Sequence, residues 1–187
     1  KLLPEYSTSR PLIKIIILLI AVSAGTIMLA RPQFGSKIED VKKQGVEVII
    51  ALDVSNSMMA EDIQPNRLTR AKQAISRLVD NLDNDKIGLI VFAGDAYTQI
   101  PVTTDYVSAK MFLSSIGPEM VPKQGTSIGA AISLGIRSLS PGEDKSKAII
   151  IITDGENHDD DPVAAAEEAA KSGIIIHTIG IGSEQGV

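Results

Sequence analysis

The sequence predicts an α/β protein: a doubly wound, mainly parallel sheet with one antiparallel edge strand, preceded by one transmembrane helix. Three observations predict it. A single strongly apolar segment of membrane length, Pro11 to Ala30, lies near the N-terminus. After Val46, short aliphatic runs alternate with stretches whose apolar residues recur at helical spacing, as strands and crossover helices do. Two of those runs then close on an aspartate, Asp53 and Asp154, where the chain leaves a strand for a loop.

The elements follow in order. Residues 1–10 are an N-terminal flank and residues 11–30 the membrane helix. Ile15 to Ala30 carries no charge, and Lys14 and Arg31 stand where long side chains can reach the headgroups. About 20 helical residues cross the hydrocarbon core. A cleaved leader fits less well, because Arg31-Pro32-Gln33 lacks a small-residue cleavage pattern. Residues 31–45 read as a polar tether, with Pro32 stopping the helix, and residues 46–187 as the folded domain. Val46–Leu52 reads as an aliphatic run, the mark of a strand buried on both faces. Arg67–Leu82 sets Leu68, Ala71, Ala74, Ile75, Leu78, Val79 and Leu82 on one helical stripe. Ile87–Ala93 is a second buried strand, which Gly94-Asp95 turns back into Tyr97–Val102, antiparallel at an edge. Helices are expected over Tyr106–Ile116, Ile128–Leu139 and Pro162–Ser172, and strands over Ala148–Thr153 and Ile174–Gly180. This alternation implies a Rossmann-like sheet with helices on both faces. The chain opens on Lys1 and stops at Val187 in a Gly-rich stretch, so it reads as a piece of something longer.

Composition narrows the chemistry. There is no cysteine, which excludes disulfides and thiolate metal sites, and there is no tryptophan, so the core must be aliphatic. Two histidines are too few for a typical zinc centre; any metal should be held by oxygen. Of 18 basic and 23 acidic residues, Lys1, Arg10, Lys14, Arg31 and Glu5 precede residue 32, leaving 14 against 22 and a net charge of −8. Such a domain is a poor nucleic-acid binder, and acidity around a site would favour cations.

In an open parallel sheet, ligands gather at the carboxyl ends of the strands, where strand order reverses. If the strands ending at Asp53 and Asp154 are neighbours there, their carboxylates converge, and like charges held close call for a cation between them. Ser55 and Ser57, two residues apart after Asp53, can turn both hydroxyls the same way. Gln124-Gly125-Thr126-Ser127 precedes a helical pattern and can present Thr126 to the same point. Hydroxyls, carboxylates and water suit a hard divalent cation. The low charge count favours Mg²⁺, with Mn²⁺ and Ca²⁺ as alternatives. Taken singly, the Asp53 segment reads first as a turn or helix N-cap, Thr126 or Ser127 equally as an N-cap, and Asp154-Gly155 as a turn. The three together, each at a strand-to-helix junction, point to a site.

Here the sequence resembles a known family. Asp53-Val54-Ser55-Asn56-Ser57, Gly125-Thr126-Ser127 and Thr153-Asp154-Gly155-Glu156-Asn157 look like the three segments of the metal-ion-dependent adhesion site (MIDAS) of von Willebrand factor A (VWA) domains. The resemblance covers about residues 46–182. It implies a VWA fold, with Ser55, Ser57 and Thr126 as hydroxyl ligands and Asp53 and Asp154 binding directly or through water. It also implies that an acidic residue of a partner completes the coordination sphere, so that the ion mediates protein–protein interaction rather than catalysis. The family's last strand and closing helix would follow Val187. Ala30-Arg31-Pro32-Gln33 and the stretch from Ser57 to Leu68 resemble bacterial membrane proteins of the Bat (aerotolerance) family, especially BatB-type members. That likeness implies partnership with other membrane VWA/Bat proteins and a MoxR-type AAA+ ATPase in an envelope complex linked to stress or aerotolerance. It also implies an inner-membrane location with the domain on the periplasmic side.

The remaining polar and sulfur-bearing residues have simpler expectations. Met58, Met59 and Ile63 pack beneath the metal loop or form an apolar rim beside it. Asp159-Asp160-Asp161 is a solvated helix start, His158 a surface residue and His177 a satisfied core residue. The rival function is a metal-dependent phosphoryl-transfer hydrolase using Asp53 or Asp154. Against it, Ser55 stands where a haloacid-dehalogenase pattern needs a second aspartate, and there is no phosphate-binding Gly-x-x-x-x-Gly-Lys-Ser/Thr loop and no Gly-x-Ser-x-Gly elbow.

Overall fold

A computed structural model of the chain describes residues 9–29, 45–142, 146–155 and 160–183. The chain divides into two compact units, Lys1–Val41 and Lys42–Val187. The first contains helix α1 (Ser9–Leu29), about 31 Å long at 1.5 Å per residue. Pro11–Leu29 is long and apolar enough to cross a membrane, and its large aliphatic side chains are exposed along its length. Nearly all of the expected tether, residues 31–45, lies outside the described residues.

The second unit runs β1 (Glu47–Asp53), α2 (Arg67–Asp80), β2 (Lys86–Phe92), β3 (Ala96–Thr103), α3 (Tyr106–Ser115), α4 (Ile128–Ser138), β4 (Lys147–Thr153), α5 (Pro162–Lys171) and β5 (Ile174–Gly180). Short 3₁₀ turns cover Asn56–Met59 and Pro118–Met120. The expected strands and helices all occur, with ends shifted by at most two residues.

The sheet order is β3-β2-β1-β4-β5. β1 lies at its centre, parallel to both β2 and β4, with Ile50 between Leu89 and Ile150. β5 continues the parallel set, and β3 turns back antiparallel on β2. Alternating side chains of β1 feed two cores, as strand geometry requires. Val48, Ile50 and Leu52 join Leu68, Ala71, Ile75 and Val79 of α2 and Leu113 of α3. Ile49 and Ala51 join Ala131 and Ile132 of α4, Ala165 and Ala169 of α5, and Phe92. Both faces of the central strand are thereby sealed.

Helix starts are fixed locally. Asn66 accepts from the Thr69 N–H at 2.7 Å and Asp105 from the Ser108 N–H at 3.0 Å, each answering an N–H group that the first turn leaves without a partner. Two features differ from expectation. His177 is exposed rather than a core residue, because β5 is the outer strand of the described sheet and only its Ile174 is buried. The run read as aliphatic from Val46 contains a carboxylate, Glu47, that is fully buried at the start of β1. Its oxygens accept from the Ser140 N–H and hydroxyl, both at 3.0 Å, and from Lys86 at 3.2 Å.

Candidate metal centre

The candidate site begins with the pairing of β1 and β4. Their register ends at Leu52 opposite Ile152, so Asp53 and Thr153 emerge side by side at the carboxyl edge, where strand order reverses. Asp53 is fully buried. One of its oxygens accepts the Ser55 N–H at 2.9 Å and the other the Thr153 hydroxyl at 2.7 Å. Burial pushes its carboxyl above the ordinary range, the bonds from Ser55 and Thr153 offset part of that rise, and the nearby charge of Asp154 adds to it.

The chain after Asp53 folds at once into a 3₁₀ turn, closed by the Met58 N–H donating to the Ser55 carbonyl at 3.1 Å. This turn faces the Ser55 and Ser57 hydroxyls toward each other, 2.9 Å apart. The two alternatives for the methionines divide between them. Met58 is fully buried beneath the loop, whereas Met59 is 43% exposed.

Thr126 reaches the same edge by a different route. The loop before α4 is bound to the end of β2: the Gly94 N–H donates to the Lys123 carbonyl at 3.0 Å, and the Ser127 N–H to the Ala93 carbonyl at 2.7 Å. A Cβ at Gly94 would stand 2.5 Å from the Gln124 carbonyl oxygen, so only glycine allows this crossing. Gly125 turns the chain with a φ of 127°. Thr126 is buried in this loop, and β2 pairs Phe92 with Asp53. Ser127 takes the N-cap position of α4, but its hydroxyl donates to the Gly94 carbonyl at 3.0 Å instead of capping the helix.

Asp154 follows directly on β4. The Asp154 side chain, 2% exposed, accepts from Arg67 at 3.0 Å. Asp161 is exposed and caps α5, as expected of a solvated helix start. Asp160 does something else: its carboxylate crosses to the first turn of α4 and accepts the Ala130 N–H at 2.7 Å. Asp159, His158, Glu156 and Asn157 lie outside the described residues.

Arg67 was not anticipated from the sequence. It binds both oxygens of Asp62, at 2.9 and 3.0 Å, while reaching Asp154. Arg67 holds the Asp62 carboxyl below the usual carboxylate range, helped by the Ser183 N–H. The one hint in the sequence was a cation in the first position of a helix, where the dipole disfavours it.

Among the described residues, no group of three or more His, Cys, Asp or Glu side chains could hold an ion. A cation at this edge would therefore rest chiefly on hydroxyls. The donor set fits that role: two facing serine hydroxyls, a buried threonine, and a buried carboxylate whose hydrogen bonds come from neutral donors. Such oxygens suit a hard divalent ion.

A family model, the von Willebrand factor type A domain, matches residues 47–186. The chain belongs to that family. Its likeness to BatB-type proteins is equally plain in solved structures. An aerotolerance-related membrane protein from Bacteroides fragilis NCTC 9343, carrying multiple mutations to serines, is 60% identical with a TM-score of 0.71, over 74% of this chain and 68% of that one. BatB from Bacteroides thetaiotaomicron is 63% identical with a TM-score of 0.71, over 73% of this chain and 66% of that one. Proximal thread matrix protein 1 of the mussel byssus, solved with a zinc-occupied MIDAS motif, is 22% identical with a TM-score of 0.65 over 74% of this chain and 36% of that one. At that identity it shows a shared fold. The chain spans about half the length of the curated relatives it matches.

Proposed function

We propose that this VWA domain is a membrane-anchored, non-enzymatic interaction module that binds a protein partner through a divalent cation. Ser55, Ser57 and Thr126 would supply hydroxyl ligands, with Asp53 and Asp154 direct or water-mediated. The observation that carries this reading is the pair of serine hydroxyls 2.9 Å apart beside the fully buried Asp53. Both Asp53 oxygens already accept hydrogen bonds, from the Ser55 N–H and the Thr153 hydroxyl, which suits a carboxylate that fixes the loop more than one that attacks a phosphoryl group. The oxygen-only donor set and low charge count favour Mg²⁺. The zinc in the mussel protein's MIDAS supports divalent binding by this fold without fixing the ion. An ion with an open position would take an acidic side chain from the partner.

The likeness to BatB-type membrane proteins supports the wider setting. In that setting, residues 11–30 anchor the chain in the bacterial inner membrane, residues 31–45 tether it, and residues 46–187 face the periplasm. Its partners are other membrane VWA/Bat proteins and a MoxR-type ATPase, within an envelope complex linked to stress or aerotolerance. The test is calorimetric titration of Mg²⁺ into the full chain in detergent, with Asp53→Ala and Ser55→Ala beside it. Wild type should bind one ion, and both variants should lose binding while keeping their far-UV circular dichroism. Equal Mg²⁺ binding by all three proteins would sink this reading.

A further inference from the structure

Metal holding alone does not explain Arg67. It is the first residue of α2, a helix with no acidic residue in its first turn. The guanidinium nevertheless turns back among carboxylates, with Asp62 held bidentately and Asp154 on its remaining amino group. The Arg67, Asp62 and Asp154 side chains are 11%, 7% and 2% exposed, so the cluster is largely removed from water. The Ser183 N–H, just beyond β5, closes it by donating to Asp62 at 2.7 Å. A long cationic side chain ordered and desolvated against its helix dipole breaks a local rule, and such breaks concentrate at functional sites.

The charges around the centre show what the residue can do. Asp53, Asp62 and Asp154 bring three negative charges and Arg67 returns one, so a divalent ion brings these groups to formal neutrality. Without the guanidinium the loaded centre would keep a net negative charge and would repel an anionic ligand. We propose that Arg67 tunes the centre for an acidic partner: by holding Asp154, it withholds part of that carboxylate from the ion and leaves the ion electrophilic. This rests on the reading of the Asp53 loop as a cation centre. Arg67 is a positioning residue, touching Asp154 rather than the ion. It weakens cation binding and strengthens partner binding. Arginine suits the task because its planar fork serves two carboxylates in different directions at once, which an ammonium cannot do with fixed geometry.

The experiment uses the full chain in detergent with Mn²⁺ as the ion and acetate as the carboxylate. Mn²⁺ affinity is read by electron paramagnetic resonance, and acetate binding by the fall in water-proton relaxation as it displaces water from the ion. In Arg67→Gln, Mn²⁺ should bind on the order of tenfold tighter and acetate on the order of tenfold more weakly, from the lost positive charge. Arg67→Lys should recover most of both changes. Asp62→Asn removes a negative charge from the same cluster and should move both affinities in the opposite directions. It also keeps the test alive if Arg67→Gln fails to fold. Affinities that fall together in these variants, or do not move, overturn the proposal while leaving the metal centre standing. Failure of the wild type to bind Mn²⁺ overturns the centre itself, and the proposal with it.

Discussion

β1 carries a buried carboxylate at each end, and the two are treated in opposite ways. At its start, Glu47 is met by an N–H, a hydroxyl and the Lys86 ammonium. Burial alone would push its carboxyl up, but the Ser140 bonds and Lys86 outweigh that and leave it below its ordinary value. At its end, Asp53 has bonds only from an N–H and a hydroxyl, and the charge of Asp154 pushes its carboxyl up rather than down. Its carboxyl stays above the ordinary value. A buried carboxylate matched by a lysine and two further donors is a staple. One left to neutral donors beside a like charge suits an ion brought from outside.

The largest expected effect breaks the staple. Glu47→Ala should lower the domain's stability by about 3 kcal/mol, because it leaves Lys86 and both Ser140 donors without their partner. Urea unfolding followed by circular dichroism measures this, and Mg²⁺ affinity should be unchanged. Loss of Mg²⁺ binding in a folded Glu47→Ala protein would erase the distinction between the two ends.

The second effect belongs to the other end. Mg²⁺ at about 100 times its dissociation constant should stabilise the wild type by about 2.7 kcal/mol. Asp53→Asn should gain nothing from Mg²⁺, yet in chelator it should equal or exceed the wild type in urea midpoint, since a desolvated charge has been removed. A less stable Asp53→Asn protein in chelator would make Asp53 a second staple.

Acid gives a smaller contrast. Because the folded pKa of Glu47 is depressed, its contribution is full above its unfolded value of about 4.3 and disappears as pH falls through the lower folded value. The difference in urea midpoint between wild type and Glu47→Gln should therefore shrink on acidification from pH 5 toward about pH 3. A difference independent of pH would mean that the carboxylate charge is irrelevant there. The smallest effect is expected at Asp160→Ala, which removes one carboxylate bond from the first turn of α4 and should cost about 1 kcal/mol. The urea midpoint reads this too; a loss several times larger would show that Asp160 does more than support that turn.

The sequence made the framework legible because its signals are local. Aliphatic runs ending in Asp53 and Asp154 mark strand ends, and the stripe from Leu68 to Leu82 marks a helix. The Asp53–Ser57 loop was legible because its spacing is closed by a single turn. Arg67 was missed because its meaning depends on Asp62 and Asp154 meeting it, 87 residues apart in the second case. Glu47 was absorbed into an aliphatic run, since its partner Ser140 lies 93 residues away. His177 was misjudged because strand periodicity does not reveal which strand lies outermost. Asp160 looked like its neighbours, and only the approach of α4 separates it from Asp161.

The crossing at Gly94 has a mechanical consequence. Asp53 sits on the central strand, clamped between two parallel neighbours. The Thr126 loop instead hangs from the tip of the β2–β3 hairpin, at the outer side of the sheet, through the backbone bonds at Ala93 and Gly94. A displacement of that hairpin would therefore be passed through two backbone bonds to Thr126, while Asp53 is held by the strand pairing of β1 itself. The two sides of the centre thus rest on separate foundations.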